Sequence, residues 1–274
     1  MEKFSYILAP IEDMTDNTFR TLCYKYGADL TFTEMVRVEG LAKKNKCTWE
    51  RIEFKDDTPT VIQLLGAKEE HFIKFMKMFE PKKNFKGFNL NLGCPSPNFV
   101  KLGYGCALIK RISKVKNILK IIEHKGYKCS IKMRLGLNKY EKEKKVYLNL
   151  INEVDADFFV VHARYGSQGY DSKPDNKVYS ECVKTGKNII ANGDIKTKEQ
   201  VDELKSIGLK GVMIGREAIK NPCIFSDLKG FPHPNLEEVK KEYLALSDKY
   251  SAKFRYRKNV MKWIGREMYK SLFC

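Results

Sequence analysis

The chain has 274 residues, 43% of them hydrophobic, and 51 Lys and Arg against 34 Asp and Glu give a net charge of +17. That length and apolar share allow one sizeable core with a small appendix, and a mean hydropathy of −0.45 without a long apolar run excludes a membrane-spanning helix. Eight cysteines with no C-x-x-C pair, and only four histidines, argue against a disulfide framework and against a metal site; they point to reduced thiols in a cytoplasmic compartment.

The opening residues Met1–Tyr6 lead directly into a strand-like segment with no leader pattern, so secretion is not expected. Eight short apolar runs follow one another about every 25–40 residues, the spacing of a strand plus a helix. They are Tyr6–Ile11, Leu30–Met35, Thr60–Leu65, Gly87–Leu92, Ser130–Arg134, Phe158–His162, Asn188–Ala191 and Gly211–Ile214. Between them Glu69–Phe79, Ser113–His124, Glu141–Glu153 and Thr197–Ile207 read as amphipathic helices. Eight such units predict a closed (β/α)₈ TIM barrel over residues 1–230. After Gly230 the pattern changes. Leu236–Tyr250 and Asn259–Leu272 read as two helices joined by the basic run Lys253–Lys258, a short helical region over 231–274.

The unusual polar residues fall at or just beyond strand ends: Pro10, Gln63, Asn91 with Cys94, Lys132 with Arg134, His162 with Arg164, Asn192 with Asp194, and Gly215 with Arg216. In an eight-stranded barrel those ends converge on one mouth, where active sites are built. Cys94 stands between a Gly and a Pro at the end of an apolar strand, a placement that presents a thiol as acid or nucleophile; a buried structural cysteine would look the same. Gly193 and Gly215 allow close backbone approach at the last two loops, and Arg216 adds a bidentate fork, a pattern that suits a phosphate. Lys132 and Gln63 sit at inward positions of their strands. With a phosphate grip across the mouth they suit a planar phosphorylated cofactor such as FMN, and the absence of G-x-G-x-x-G argues against a Rossmann nicotinamide site.

These residues, in this order, resemble the tRNA-dihydrouridine synthases. The likeness is carried by Leu8-Ala9-Pro10, Thr33-Glu34-Met35-Val36, Gln63-Leu64-Leu65-Gly66, Asn91-Leu92-Gly93-Cys94-Pro95, Gly103–Leu108, Lys132-Met133-Arg134, His162-Ala163-Arg164, Asn192-Gly193-Asp194 and Gly211–Arg216. The resemblance implies a barrel that reduces the C5–C6 bond of uridines in tRNA. Pro10, Ile11 and Glu12 would line FMN, and Gln63 and Lys132 would contact its ring. His162, Asn192, Gly193, Asp194, Gly215 and Arg216 would hold its phosphate side. Hydride would reach uracil C6 from reduced FMN, Cys94 would protonate C5, and NADPH would re-reduce the flavin. Asn91, Arg134 and Arg164 would meet the substrate.

The basic tail, with Arg257-Lys258, Trp263 and a face of Lys262, Arg266 and Lys270, would bind tRNA. The chain is expected to act as a monomer. It departs from the family pattern at Glu12 and Asp13, where small residues are usual, and at Asn98, Gly166, Asn176 and Asn259. Two other readings share parts of this pattern: an FMN barrel acting on a small molecule of the dihydroorotate or enoate type, and a barrel that binds RNA without catalysis.

Overall fold

The computed structural model describes residues 3–266. The strands in chain order are β1 (Ser5–Leu8), β2 (Thr31–Phe32), β3 (Val36–Arg37), β4 (Thr60–Leu65), β5 (Phe85–Leu92), β6 (Cys129–Met133), β7 (Phe159–His162), β8 (Ile189–Asn192) and β9 (Gly211–Ile214). All pairings are parallel, and the order β1-β9-β8-β7-β6-β5-β4-β2 runs around the molecule. An Ile7–Leu30 bridge closes the ring, with the Leu8 amide donating to the Leu30 carbonyl at 2.9 Å. The fold is a (β/α)₈ barrel.

The expected second strand, Leu30–Met35, forms differently. It is interrupted at Thr33-Glu34-Met35, and both β2 and β3 pair with β4. At the break the Thr33 hydroxyl oxygen, not a backbone carbonyl, accepts from the Gln63 amide at 3.1 Å. The first strand also ends early, at Leu8, which leaves Ala9–Ile11 as loop.

The barrel interior changes character along its axis. Ile7, Phe32, Val61, Val160, Ile190 and Met213 form an apolar floor. Two residues further along their strands, on the same inward side, stand Gln63, His162 and Asn192; on the strands between, Asn91 pairs with Lys132, which stands opposite Val160. The larger apolar cluster lies outside the strands, where the helices pack. The helix Ile112–Glu123 is typical: Val115, Ile118, Leu119 and Ile122 are its buried stripe. The helix expected over Glu141–Glu153 divides into Lys139–Glu143 and Val146–Glu153, because Lys145 adopts a φ of +52° between them.

Beyond Gly230 the helix Leu236–Lys249 begins at an Asn235 cap and packs on the helix Asn17–Lys25. The Phe19 and Tyr243 rings meet edge-on at 6.5 Å, and Tyr26 donates to Glu242 at 2.5 Å. The last helix among the described residues is Phe254–Trp263. It starts five residues before the expected Asn259, so the basic run read as a linker is its first half. Of the face Lys262, Arg266 and Lys270, Arg266 follows the helix end and Lys270 lies outside the described residues.

Candidate active site

A cavity of about 600 Å³ opens at the carboxyl ends of the strands. Pro10, Ile11, Glu12, Gln63, Asn91, Cys94, Lys132, Arg134, His162, Asn192, Gly193, Asp194, Gly215 and Arg216 all line it. Of the expected site residues only Arg164 lies behind the wall.

The Cys94 side is built by β5. Asn91 turns its carboxamide oxygen back onto the amides of Gly93 and Cys94, at 2.9 and 3.0 Å, so it braces the cysteine loop. Its amide group donates to Gln63 Oε1 at 2.9 Å. Behind Cys94, the Cys106 amide donates to the Cys94 carbonyl at 3.0 Å. Only glycine fits between them: at Gly105, φ +56°, a Cβ would lie 2.3 Å from that carbonyl oxygen. Burial pushes the Cys94 thiol above its ordinary value, and Glu12 adds to the shift. Cys94 therefore carries its proton at neutral pH.

Beside it Gln63 is 1% exposed. It donates to Asn89 at 2.8 Å, and Asn89 donates to Ser130 at 2.9 Å. This buried polar ladder lies beneath the cavity and orients Gln63; its sequence signal is Asn89, two positions before Asn91 in an otherwise apolar strand. Lys132 differs. Among the described residues it has no hydrogen bond or ion pair, and burial with Arg134 nearby lowers its ammonium to about 8. An inward ammonium without an acceptor fits a ligand that supplies one.

The opposite end of the constellation is cationic. Arg216 is ion-paired with Asp194, and its guanidinium carbon lies 4.2 Å from the centre of the Tyr170 ring. Asp194 also binds Arg164 at 2.5 Å. Gly193 at φ +124° and Asp194 at φ +53° make the turn that carries this carboxylate between the two arginines. A Cβ at Gly193 would come within 2.9 Å of the His162 ring. His162 Nε2 accepts from Arg164 at 3.1 Å, since a guanidinium only donates. Burial and the cations Lys132, Arg134, Arg164 and Arg216 hold His162 well below its usual value, so the ring is neutral. One neutral donor ring, two glycine turns and Arg216 form a set that fits a phosphate.

Arg134 and Arg164 are both buried: Arg134 reaches the cavity wall and Arg164 stands behind it. Arg164 is 0% exposed and holds the Ser172 carbonyl at 2.6 and 2.9 Å. Arg134 donates to the carbonyls of Tyr165 and Gln168 at 2.9 and 3.2 Å. Both anchor the loop that carries Tyr170, a cavity residue that sequence reasoning missed.

The tail also reaches the cavity, through Asn259, Lys262 and Trp263. Its joint with the barrel is Glu34, 1% exposed. Glu34 accepts from the Asp13 amide at 3.0 Å and from the Tyr256 hydroxyl, and Arg51 lies at 3.3 Å. Asp13 lies 3.3 Å from Arg255, and Glu12 lies 3.5 Å from Arg51. The acidic pair at the cavity lip thus has arginine partners.

Over residues 7–269 the sequence matches the family model described as dihydrouridine synthase. The chain belongs to the dihydrouridine synthase family. A probable tRNA-dihydrouridine synthase of Helicobacter pylori is 29% identical, covering 97% of this chain and 84% of that protein. One from Staphylococcus aureus (strain COL) is 32% identical, over 89% and 78%, and the probable tRNA-dihydrouridine synthase 2 of Bacillus subtilis is 30% identical, over 90% and 79%. Among solved structures an old yellow enzyme homologue from Zymomonas mobilis superposes with a TM-score of 0.55 at 12% identity, over 88% of this chain and 91% of that one. A morphinone reductase gives 0.57 at 10%, over 87% and 90%. At these identities the likeness is one of fold. For this dihydrouridine synthase family member, no helix among the described residues is long and apolar enough to cross a membrane.

Proposed function

We propose that this chain reduces the C5–C6 bond of uridines in tRNA to dihydrouridine, with FMN as resident cofactor and NADPH as reductant. The observation that carries the reading is the placement of Cys94 on the wall of a cavity that also holds the unpartnered Lys132 and, beyond it, Arg216 beside the Gly193 and Gly215 turns. The family match and the names of the relatives support the substrate class.

Pro10, Ile11 and Glu12 would line the flavin ring, and Gln63 and Lys132 would contact it. His162, Asn192, Gly193, Gly215 and Arg216 would hold its phosphate, with Asp194 keeping Arg216 aimed. FMN held there in its reduced form would supply the hydride for uracil C6. Cys94 delivers its proton to C5, which completes the addition of two hydrogens, and the thiolate regains a proton from solvent. Asn91 keeps the thiol at its station through the Gly93 and Cys94 amides. A uridine inside folded tRNA must leave its stack to enter. The net +17 and the basic residues after Gly230 serve the phosphates around it.

The test is substrate choice. With purified protein, NADPH consumption should depend on unmodified tRNA and should not respond to dihydroorotate or an enone. Turnover with either small molecule and none with tRNA would replace this reading with the small-molecule one.

A further inference from the structure

The last described helix presents a feature that the core does not use. Phe254 is 76% exposed, the largest exposure among the exposed large apolar side chains of the described residues. It occupies the first turn of Phe254–Trp263, and Lys258 and Lys262 follow it at i+4 and i+8, both exposed. These three share one slowly winding stripe about 12 Å long at 1.5 Å per residue. Lys258 has no hydrogen bond or ion pair among the described residues. Lys262 lines the cavity. The neighbouring cations are otherwise engaged: Lys253 pairs with Glu50, Arg255 with Asp13 and Arg257 with Asp248. The stripe therefore runs from a bare aromatic ring, past an unpaired ammonium, to the mouth.

An aromatic ring exposed among cations is a stacking platform for an unpaired base, with the cations on adjacent phosphates. We propose that Phe254 stacks on a nucleotide flanking the uridine in the cavity, while Lys258 and Lys262 hold the phosphates between them. The proposal rests on the tRNA reading above. It assigns to this stripe a recognition of single-stranded RNA next to the target. Charge complementarity and continuity with the cavity select RNA over a protein partner.

The experiment measures tRNA binding to the full-length flavin-loaded protein over a salt series, with Phe254→Ala, Phe254→Tyr and Lys258→Gln. Phe254→Ala should weaken Kd by about 5- to 150-fold, the usual range for losing one base stack, with the salt slope unchanged. Phe254→Tyr should bind as the parent does. Lys258→Gln should flatten the slope by about one. Flavin absorbance checks that each variant is folded. The proposal falls if Phe254→Ala binds tRNA as tightly as the parent. It also falls if that variant changes only the sedimentation behaviour, which would make Phe254 a subunit contact. A parent protein that binds no tRNA at any salt overturns the tRNA reading along with it.

Discussion

Lys132 and Cys94 lie on one cavity wall and are shifted by the same burial with opposite chemical results. Burial disfavours charge, so the thiol is pushed up and stays neutral, while the ammonium is brought down to about 8. The Lys132 value is depressed below its unfolded value, so the ammonium weakens the fold below pH 8, and stability recovers as pH rises from 8 toward 10.5. Ligand binding has the opposite sign. An electron-rich ring edge or an anion raises the Lys132 value, so binding takes up a proton above pH 8 and weakens as pH climbs. FMN affinity, read from flavin fluorescence, should fall by about tenfold between pH 7 and pH 9.5. Lys132→Met should bind weakly at both and lose the slope. An equal slope in that variant would assign the titration elsewhere.

The residues around these two were unequally legible. Period-two placement located Gln63, Lys132 and Cys94 at the mouth, because strand ends follow from apolar runs. The loop-bracing hydrogen bonds of Asn91, Arg134 and Arg164 were not legible. A hydrogen bond to a loop carbonyl leaves no periodic mark, and a buried arginine reads in sequence like an exposed one.

At the scale of elements, the interrupted second strand and the last helix depend on each other. Glu34 sits in the break, and its carboxylate joins the Asp13 loop to Tyr256. Tyr256→Phe removes a donor from a buried carboxylate, a loss of about 1–3 kcal/mol, and should lower Tm by on the order of 5 °C. Glu34 still holds the Asp13 amide in that variant, so flavin content should stay near that of the parent. An unchanged Tm would mean that the tail docks without this joint. The apolar pattern could not reveal it: Thr33-Glu34-Met35 continues a strand-like run, and the partner of Glu34 lies more than two hundred residues away.

Across the whole molecule, the barrel was the most legible feature. Each β/α unit repeats the same local pattern, and parallel strands buried on both faces leave continuous apolar runs. The position of the tail was the least legible. Composition marks residues 253–258 as basic, which suits both a linker and a helix, and only packing chooses the helix that ends at the cavity. That packing makes Asn259, Lys262 and Trp263 part of the site wall. The cavity and the basic surface thus meet at one helix, the arrangement that the proposed work on a base within a polyanion calls for.

The most direct test of this account is the product itself. Unmodified tRNA is incubated with the flavin-loaded protein and NADPH, and its nucleosides are analysed by mass spectrometry. The account predicts dihydrouridine with the parent protein. With Cys94→Ala it predicts a fall of about 10²–10⁴-fold, the range for losing a general acid, with flavin still bound. No dihydrouridine from the flavin-loaded parent, or full conversion by Cys94→Ala, would contradict it.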